Sequence, residues 1–199
     1  PVINAQHITM CEEMLALGAD LVLIDGAIDR KSIAAPDISD AIILSTGAVL
    51  SRKLSKVVEE TAYTVGLYSL PVLEDGEERR IIEEQADSDR LFTVKNGEAV
   101  TLNITTGLGS GKLLDNAIDD KVTHVFVPGA FTQSVVNDID RRKLKSVTFV
   151  LRDPTKIFIG VMMWNQFRKK GLNIKVLENI NVAAITVNPT SPSGYAFDH

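Results

Sequence analysis

The sequence has one cysteine, few aromatic residues and no excess of positive charge. Cys11 has no second cysteine with which to form an internal disulfide, which is typical of a reducing compartment, so we expect a cytoplasmic protein. The formal net charge of -5 argues against general binding to nucleic acid or to anionic membranes, because both need a basic surface. No apolar run approaches the roughly 20 residues that cross a bilayer. The three histidines and the cysteine are not spaced like zinc ligands.

What is present is an alternation of apolar runs with helical patterns. This alternation predicts an α/β fold with a mostly parallel sheet and helices on both faces, similar to a P-loop NTPase or a Rossmann fold. Residues 20–25 place four apolar residues between two aspartates, which indicates a strand buried on both faces. The chain starts at Pro1 and enters a helical pattern almost at once, so we expect the first βα unit of the sheet to be missing.

Further elements follow from the same patterns. Asn96 and Gly97 predict a hairpin that joins strands at 90–95 and 99–104. Asp153 and Pro154 are suited to begin a helix, and Gly171 is suited to end it. Other strands are predicted at 41–44, 122–127, 147–151, 173–177 and 182–187, and other helices at 51–65, 113–118 and 131–144.

The composition suggests two lobes. Residues 1–72 form an α/β lobe that carries Asp25 at a strand end, and residues 90–199 form a second α/β lobe. The stretch 73–89 between them is rich in charge and predicts a solvated connector or a short surface helix, with a docking surface as the alternative.

Asp25 is the first candidate for chemistry. An acid that follows an apolar strand is how phosphate-binding NTPases hold Mg²⁺, and Asp29 and Arg30 follow within five residues. This pattern predicts Asp25 as a metal ligand and catalytic residue, with Asp29 and Arg30 as catalytic partners and Gly26 as a ligand-binding residue beside them. The alternative is a turn in which Asp25 is a cap and Asp29 simply pairs with Arg30.

The second candidate is a glycine-rich turn between a predicted strand and a predicted helix. Its backbone N–H groups and the helix N-terminus suit an anion, although the turn lacks the glycine and hydroxyl positions of a Walker A loop. A flexible turn without a ligand is the alternative. The predicted ligand-binding residues are Gly107, Gly109, Ser110, Gly111 and Lys112, together with Thr46 and Gly47 after the strand at 41–44.

Three stretches carry a resemblance to a known family. They are residues 20–32 (DLVLIDGAIDRKS), 43–51 (ILSTGAVLS) and 188–195 (NPTSPSGY). The chain resembles the proteins encoded beside coenzyme B12-dependent lysine 5,6-aminomutase in amino-acid-fermenting anaerobes. The resemblance implies an accessory protein for ATP-dependent reactivation of that aminomutase, with ATP and Mg²⁺ as cofactors and the aminomutase as partner.

Two other classes of function stay open at this point. One is a non-catalytic α/β domain that binds a protein or a small molecule, in which the glycines serve only as turns. The other is an enzyme that acts on a small molecule of lysine or ornithine fermentation.

Overall fold

The structure is a computed structural model, and the residues it describes are 4–26, 31–103 and 110–197. The chain divides into two compact units. The first unit is Pro1–Tyr68 with Ile180–His199, and the second is Ser69–Asn179. The predicted lobes have other bounds, because the last strand returns to pair with a strand of the first unit instead of ending the second.

The helices are α1 (Asn4–Ala16), α2 (Leu54–Tyr68), α3 (Glu77–Glu83), α4 (Ser110–Ala117), α5 (Gln133–Asn137), α6 (Arg141–Ser146) and α7 (Val161–Lys170), with 3-10 turns at Lys31–Ala34 and Pro154–Lys156. The strands are β1 (Ile42–Gly47), β2 (Phe92–Lys95), β3 (Glu98–Thr101), β4 (Val122–Phe126), β5 (Phe131–Thr132), β6 (Thr148–Leu151), β7 (Ile157–Phe158), β8 (Asn173–Val176) and β9 (Val182–Asn188).

The first unit contains a parallel pair of strands, β1 and β9. Ile42 pairs with Val182 at one end of the pair, and Gly47 pairs with Asn188 at the other. Because the strands are parallel, their carboxyl ends lie at the same edge. The helix α1 ends as its sequence indicates, with Gly18 at a φ of 99°.

The second unit contains a five-stranded sheet in the order β3-β2-β4-β6-β8. The pairs β4/β6 and β6/β8 are parallel, while β2 is antiparallel to both β3 and β4. The α/β class is confirmed, but this sheet is mixed, where the sequence predicted a mostly parallel one. The reason is that the hairpin of β2 and β3 joins the parallel strands through β2, which runs antiparallel to β4 as well.

The turn of that hairpin has the expected chemistry. Asn96 and Gly97 have φ angles of 53° and 78°, the left-handed conformation at both central residues that a type I′ turn requires. The predicted hairpin is therefore confirmed.

Both faces of this sheet are buried. On one face the rings of Phe92 and Phe126 stack with centroids 5.0 Å apart, and Ile82 of α3 packs in the same cluster. On the other face Phe149 is fully buried and contacts the ring of Phe131 at 5.6 Å. The predicted connector at 73–89 thus contains a short helix whose inner side belongs to the core of the second unit.

Two predicted helices have different bounds in the structure. The helix predicted at 131–144 is divided into α5 and α6, because the carboxylate of Asp140 accepts a hydrogen bond from the Arg142 amide at 2.8 Å and so begins a new helix. Asp153 and Pro154 begin a 3-10 turn, and α7 starts later, at Val161. Gly171 ends α7 with a φ of 108°, as predicted.

Within the described parts of the chain, no helix is both long and apolar enough to cross a membrane.

Candidate functional site

The carboxyl ends of β1 and β9 form one edge of the first unit. In parallel α/β sheets this is the edge at which ligands bind, because loops and helix N-termini meet there. Gly47 ends β1 and Asn188 ends β9, and the loops that follow them are part of the same edge. Thr46 and Gly47, two of the predicted ligand-binding residues, therefore lie on it.

Gly47 allows the two strand ends to approach closely. Its φ is 151°, and a Cβ at this position would lie 2.8 Å from the carbonyl carbon of Asn188 and closer still to the carbonyl oxygen. The next amide, that of Ala48, donates to the same Asn188 oxygen at 2.9 Å. Gly47 is thus required by the backbone geometry of the edge.

Thr46 joins the strand to the helix that follows it. Its Oγ1 lies 2.7 Å from Oγ1 of Thr61 on α2. The hydroxyl therefore has a partner inside the fold, and its observed role is to fix α2 against β1.

The loop after β9 folds back onto the loop after β1. The Tyr195 hydroxyl donates to the backbone oxygen of Ala48, and the guanidinium carbon of Arg52 lies 5.2 Å from the centroid of the Tyr195 ring, a cation–π contact. The Ser191 amide donates to the backbone carbonyl oxygen of Tyr195 at 2.8 Å, and this bond closes the loop. The proline-containing stretch 188–195 is therefore an ordered part of this edge.

The N-terminus of α2 adds positive potential to the edge. Arg52 and Lys53 are exposed just before α2, and its first turn contains no acidic residue. Ser51, at the start of the predicted helix 51–65, accepts a hydrogen bond from the Lys53 amide at 3.1 Å. A helix N-terminus with two neighbouring cations favours an anionic ligand.

Sequence reasoning did not identify Arg52. Its contact with Tyr195 joins residues far apart in the sequence, so no local pattern indicates it. The available signal was the pair of basic residues in the first turn of the helix predicted at 51–65.

Asp25 and Gly26 are exposed in the structure. They lie in a stretch, 21–26, that forms no hydrogen-bonded strand, so the buried strand predicted at 20–25 is not observed. Asp29 and Arg30, the predicted catalytic partners of Asp25, lie outside the described residues. Asp25 itself belongs to the first unit.

The predicted glycine-rich site belongs to the second unit. Gly107 and Gly109 lie outside the described residues, and Ser110 is the first residue of α4. Lys112 is exposed on that helix. Gly111 is buried, and a Cβ there would lie 2.8 Å from the backbone oxygen of Ser134 on α5. The observed role of Gly111 is thus close packing between two helices.

His124, which falls within the strand predicted at 122–127, is half buried on β4. Its Nδ1 lies 3.0 Å from Oγ1 of Thr123. Burial lowers the pKa of the imidazole and the positive charge of Lys175 lowers it further, against the opposing effect of Glu78 and Glu74. The lowered pKa favours a neutral histidine at pH 7, which fits a structural position.

Over residues 4–26, 31–103 and 110–197, no three histidine, cysteine or acidic side chains are grouped so that they could hold a metal ion. Mg²⁺ is commonly bound through one or two carboxylates together with phosphate oxygens and waters. A single exposed carboxylate such as that of Asp25 is compatible with that mode, in which phosphate oxygens and waters supply the other ligands.

No family model matches the chain, and no curated protein or solved structure has significant similarity to it.

Proposed function

We propose that the protein is an accessory nucleotide-binding protein that supports a B12-dependent aminomutase of lysine fermentation. The proposed site is the edge formed by the carboxyl ends of β1 and β9. The observation that carries the proposal is the meeting of Arg52, Lys53 and the N-terminus of α2 at this edge. The choice of the aminomutase as partner rests on the resemblance of residues 20–32, 43–51 and 188–195.

The chemistry of the edge suits a polyphosphate. A guanidinium offers paired N–H donors that match two phosphate oxygens, and an ammonium adds a point charge. The backbone amides at a helix N-terminus are further donors for an anion. ATP is the nucleotide that the resemblance implies, and Mg²⁺ would neutralise part of its phosphate charge.

The remaining predicted residues have defined places in the proposal. Asp25 is the proposed Mg²⁺ ligand, with Asp29 and Arg30 near the phosphates and Gly26 beside them. The fold we propose for the complete site is P-loop-like or Rossmann-like. A second anion contact at residues 107–112 belongs to the proposal only if Lys112 or its neighbours respond to nucleotide.

Substitution of Arg52 tests the proposed site. We expect Arg52→Gln to weaken binding of Mg²⁺·ATP about 10- to 100-fold, because a charge-assisted hydrogen bond to phosphate contributes roughly 1.5–3 kcal/mol. Titration calorimetry on the intact protein measures the change. Arg80→Gln is the matched control, because Arg80 is an exposed arginine of α3 in the second unit. Equal affinities for wild type and Arg52→Gln, or no binding by wild type, would reject the site.

A specific observation also favours a second candidate, a protein-binding module without catalysis. Met10 and Met14 lie one turn apart on α1 and are both exposed, and Leu17, directly after the helix, is 89% exposed. Most of the large exposed apolar residues in the described chain likewise belong to the first unit. An exposed apolar face of this kind is typical of a protein contact.

This second candidate predicts the effect of charge on α1. Glutamate at both Met10 and Met14 is expected to lower capture of lysine 5,6-aminomutase at least about tenfold, since two charged groups would have to be desolvated in the contact. Pull-down of the purified aminomutase without nucleotide gives the readout. Glu12→Gln is the control, because Glu12 lies on the opposite side of the helix. Undiminished capture by the double variant would remove α1 from the proposed contact.

A further inference from the structure

Residues 20–26, which we name the edge segment, have the burial pattern of a strand without a strand's hydrogen bonds. Exposure alternates from residue to residue over Leu21–Ile24, as it does along β1. Leu21 is 72% exposed and Leu23 is 82% exposed. An apolar run of this kind normally belongs to a sheet, and here it is not paired with any strand of the described residues.

The sheet of the first unit has strand edges without partners. Among the described residues, β1 pairs only with β9, so each strand has one edge without a partner. Ile43, Ile185 and Val187 of this pair are exposed. Parallel sheets with both faces solvated are rare, and isolated two-stranded sheets are marginally stable in water.

We propose that in solution the edge segment pairs with the free edge of β1 as a third parallel strand. Both stretches carry an apolar run that is followed by a glycine, after Asp25 in one and after Ser45 and Thr46 in the other. Aligning Gly26 with Gly47 places Leu23 beside Leu44. Fifteen residues separate Gly26 from Ile42, which is enough for a parallel crossover. Strands that follow each other in a chain are commonly neighbours in a sheet, which favours β1 over β9 as the partner.

This pairing positions a side chain for the site. In the aligned register Asp25 stands beside Thr46, at the edge where Arg52 and the N-terminus of α2 meet. The edge segment thus completes the sheet and brings the carboxylate to the proposed nucleotide. The pairing itself requires no nucleotide, so its test is independent of the proposed function.

Amide hydrogen exchange on the free protein tests the pairing. We expect alternate amides of Leu21–Asp25 to exchange at least about 100-fold more slowly than an unstructured chain, because they donate to backbone oxygens of β1. Exchange of all these amides at the unstructured rate would overturn the pairing, whether or not the protein binds ATP.

A pair of variants separates the pairing from general stability. Leu23→Asp is expected to speed exchange in both the edge segment and Ile42–Thr46, while the amides of β6 in the second unit keep their protection. Leu17→Asp is the control, because Leu17 is equally exposed but lies outside the edge segment. If Leu23→Asp leaves exchange in β1 unchanged, the segment does not contact β1 and the inference fails.

Discussion

Alanine in place of Gly47 is expected to separate the carboxyl ends of β1 and β9. The added Cβ would overlap the Asn188 carbonyl, and a φ of 151° is a conformation that alanine rarely adopts. The backbone atoms involved cannot move aside as a flexible side chain would. We therefore expect the free energy of local opening to fall by about 3 kcal/mol or more. Amide exchange of β9, read at Thr186 and Asn188, whose N–H groups face β1, measures this loss directly.

Gly160→Ala, in the second unit, is the matched control for this substitution. A Cβ at Gly160 would meet no atom within 4 Å. The control should therefore leave exchange in β9 within about 0.5 kcal/mol of wild type. If Gly47→Ala changed exchange in β9 as little as the control does, the two strand ends would not lie this close together in solution. The proposed site would then lack the backbone arrangement on which it depends.

The same substitution at two helical glycines is expected to have opposite effects. Gly66→Ala in α2 meets open space, so it should stabilise the first unit by about 0.5–1 kcal/mol through helix propensity. Gly111→Ala in α4 gains the same propensity, but its Cβ would meet the Ser134 oxygen at 2.8 Å and Cβ of Asp138 at 3.0 Å. We expect overpacking to prevail and to destabilise the second unit by about 1–3 kcal/mol.

Urea unfolding with amide exchange in α2 and α5 separates these two effects. Residues around Gly111 were predicted to bind an anion. In such a site, replacing the glycine would affect ligand binding more than the stability of the fold. A stabilising Gly111→Ala that weakened nucleotide binding would support that earlier prediction and would contradict the packing role.

Local patterns predicted much of the second unit. Asn96 and Gly97 define their turn through their own backbone preferences, and Gly171 ends its helix for the same reason. Strands such as β4 and β6 follow from apolar runs that are buried on both faces. Each of these features depends on residues that are close in the sequence.

Features that depend on distant residues were not predictable. The mixed sheet arises because β2 pairs with β4, which follows it after a long connection. The return of β9 to β1, and the contact of Arg52 with Tyr195, each join residues more than 130 positions apart. One sequence contains no signal for which distant strands or side chains will meet.

The candidate site shows the same division. Thr46 and Gly47 were found by their place after an apolar run, and the structure gives them defined roles at the strand ends. Gly111 was found by the same reasoning, but the glycine is explained by a helix that packs on it. A glycine that makes room for a ligand and a glycine that makes room for a neighbouring helix look the same in the sequence.

Mapping amide chemical-shift changes during titration of the intact protein with Mg²⁺·ATP tests the central proposal most directly. The account predicts saturable changes centred on Gly47, Ala48, Lys53 and Tyr195, at the carboxyl ends of β1 and β9. No change at saturating nucleotide, or changes confined to residues 110–112 of the second unit, would contradict it.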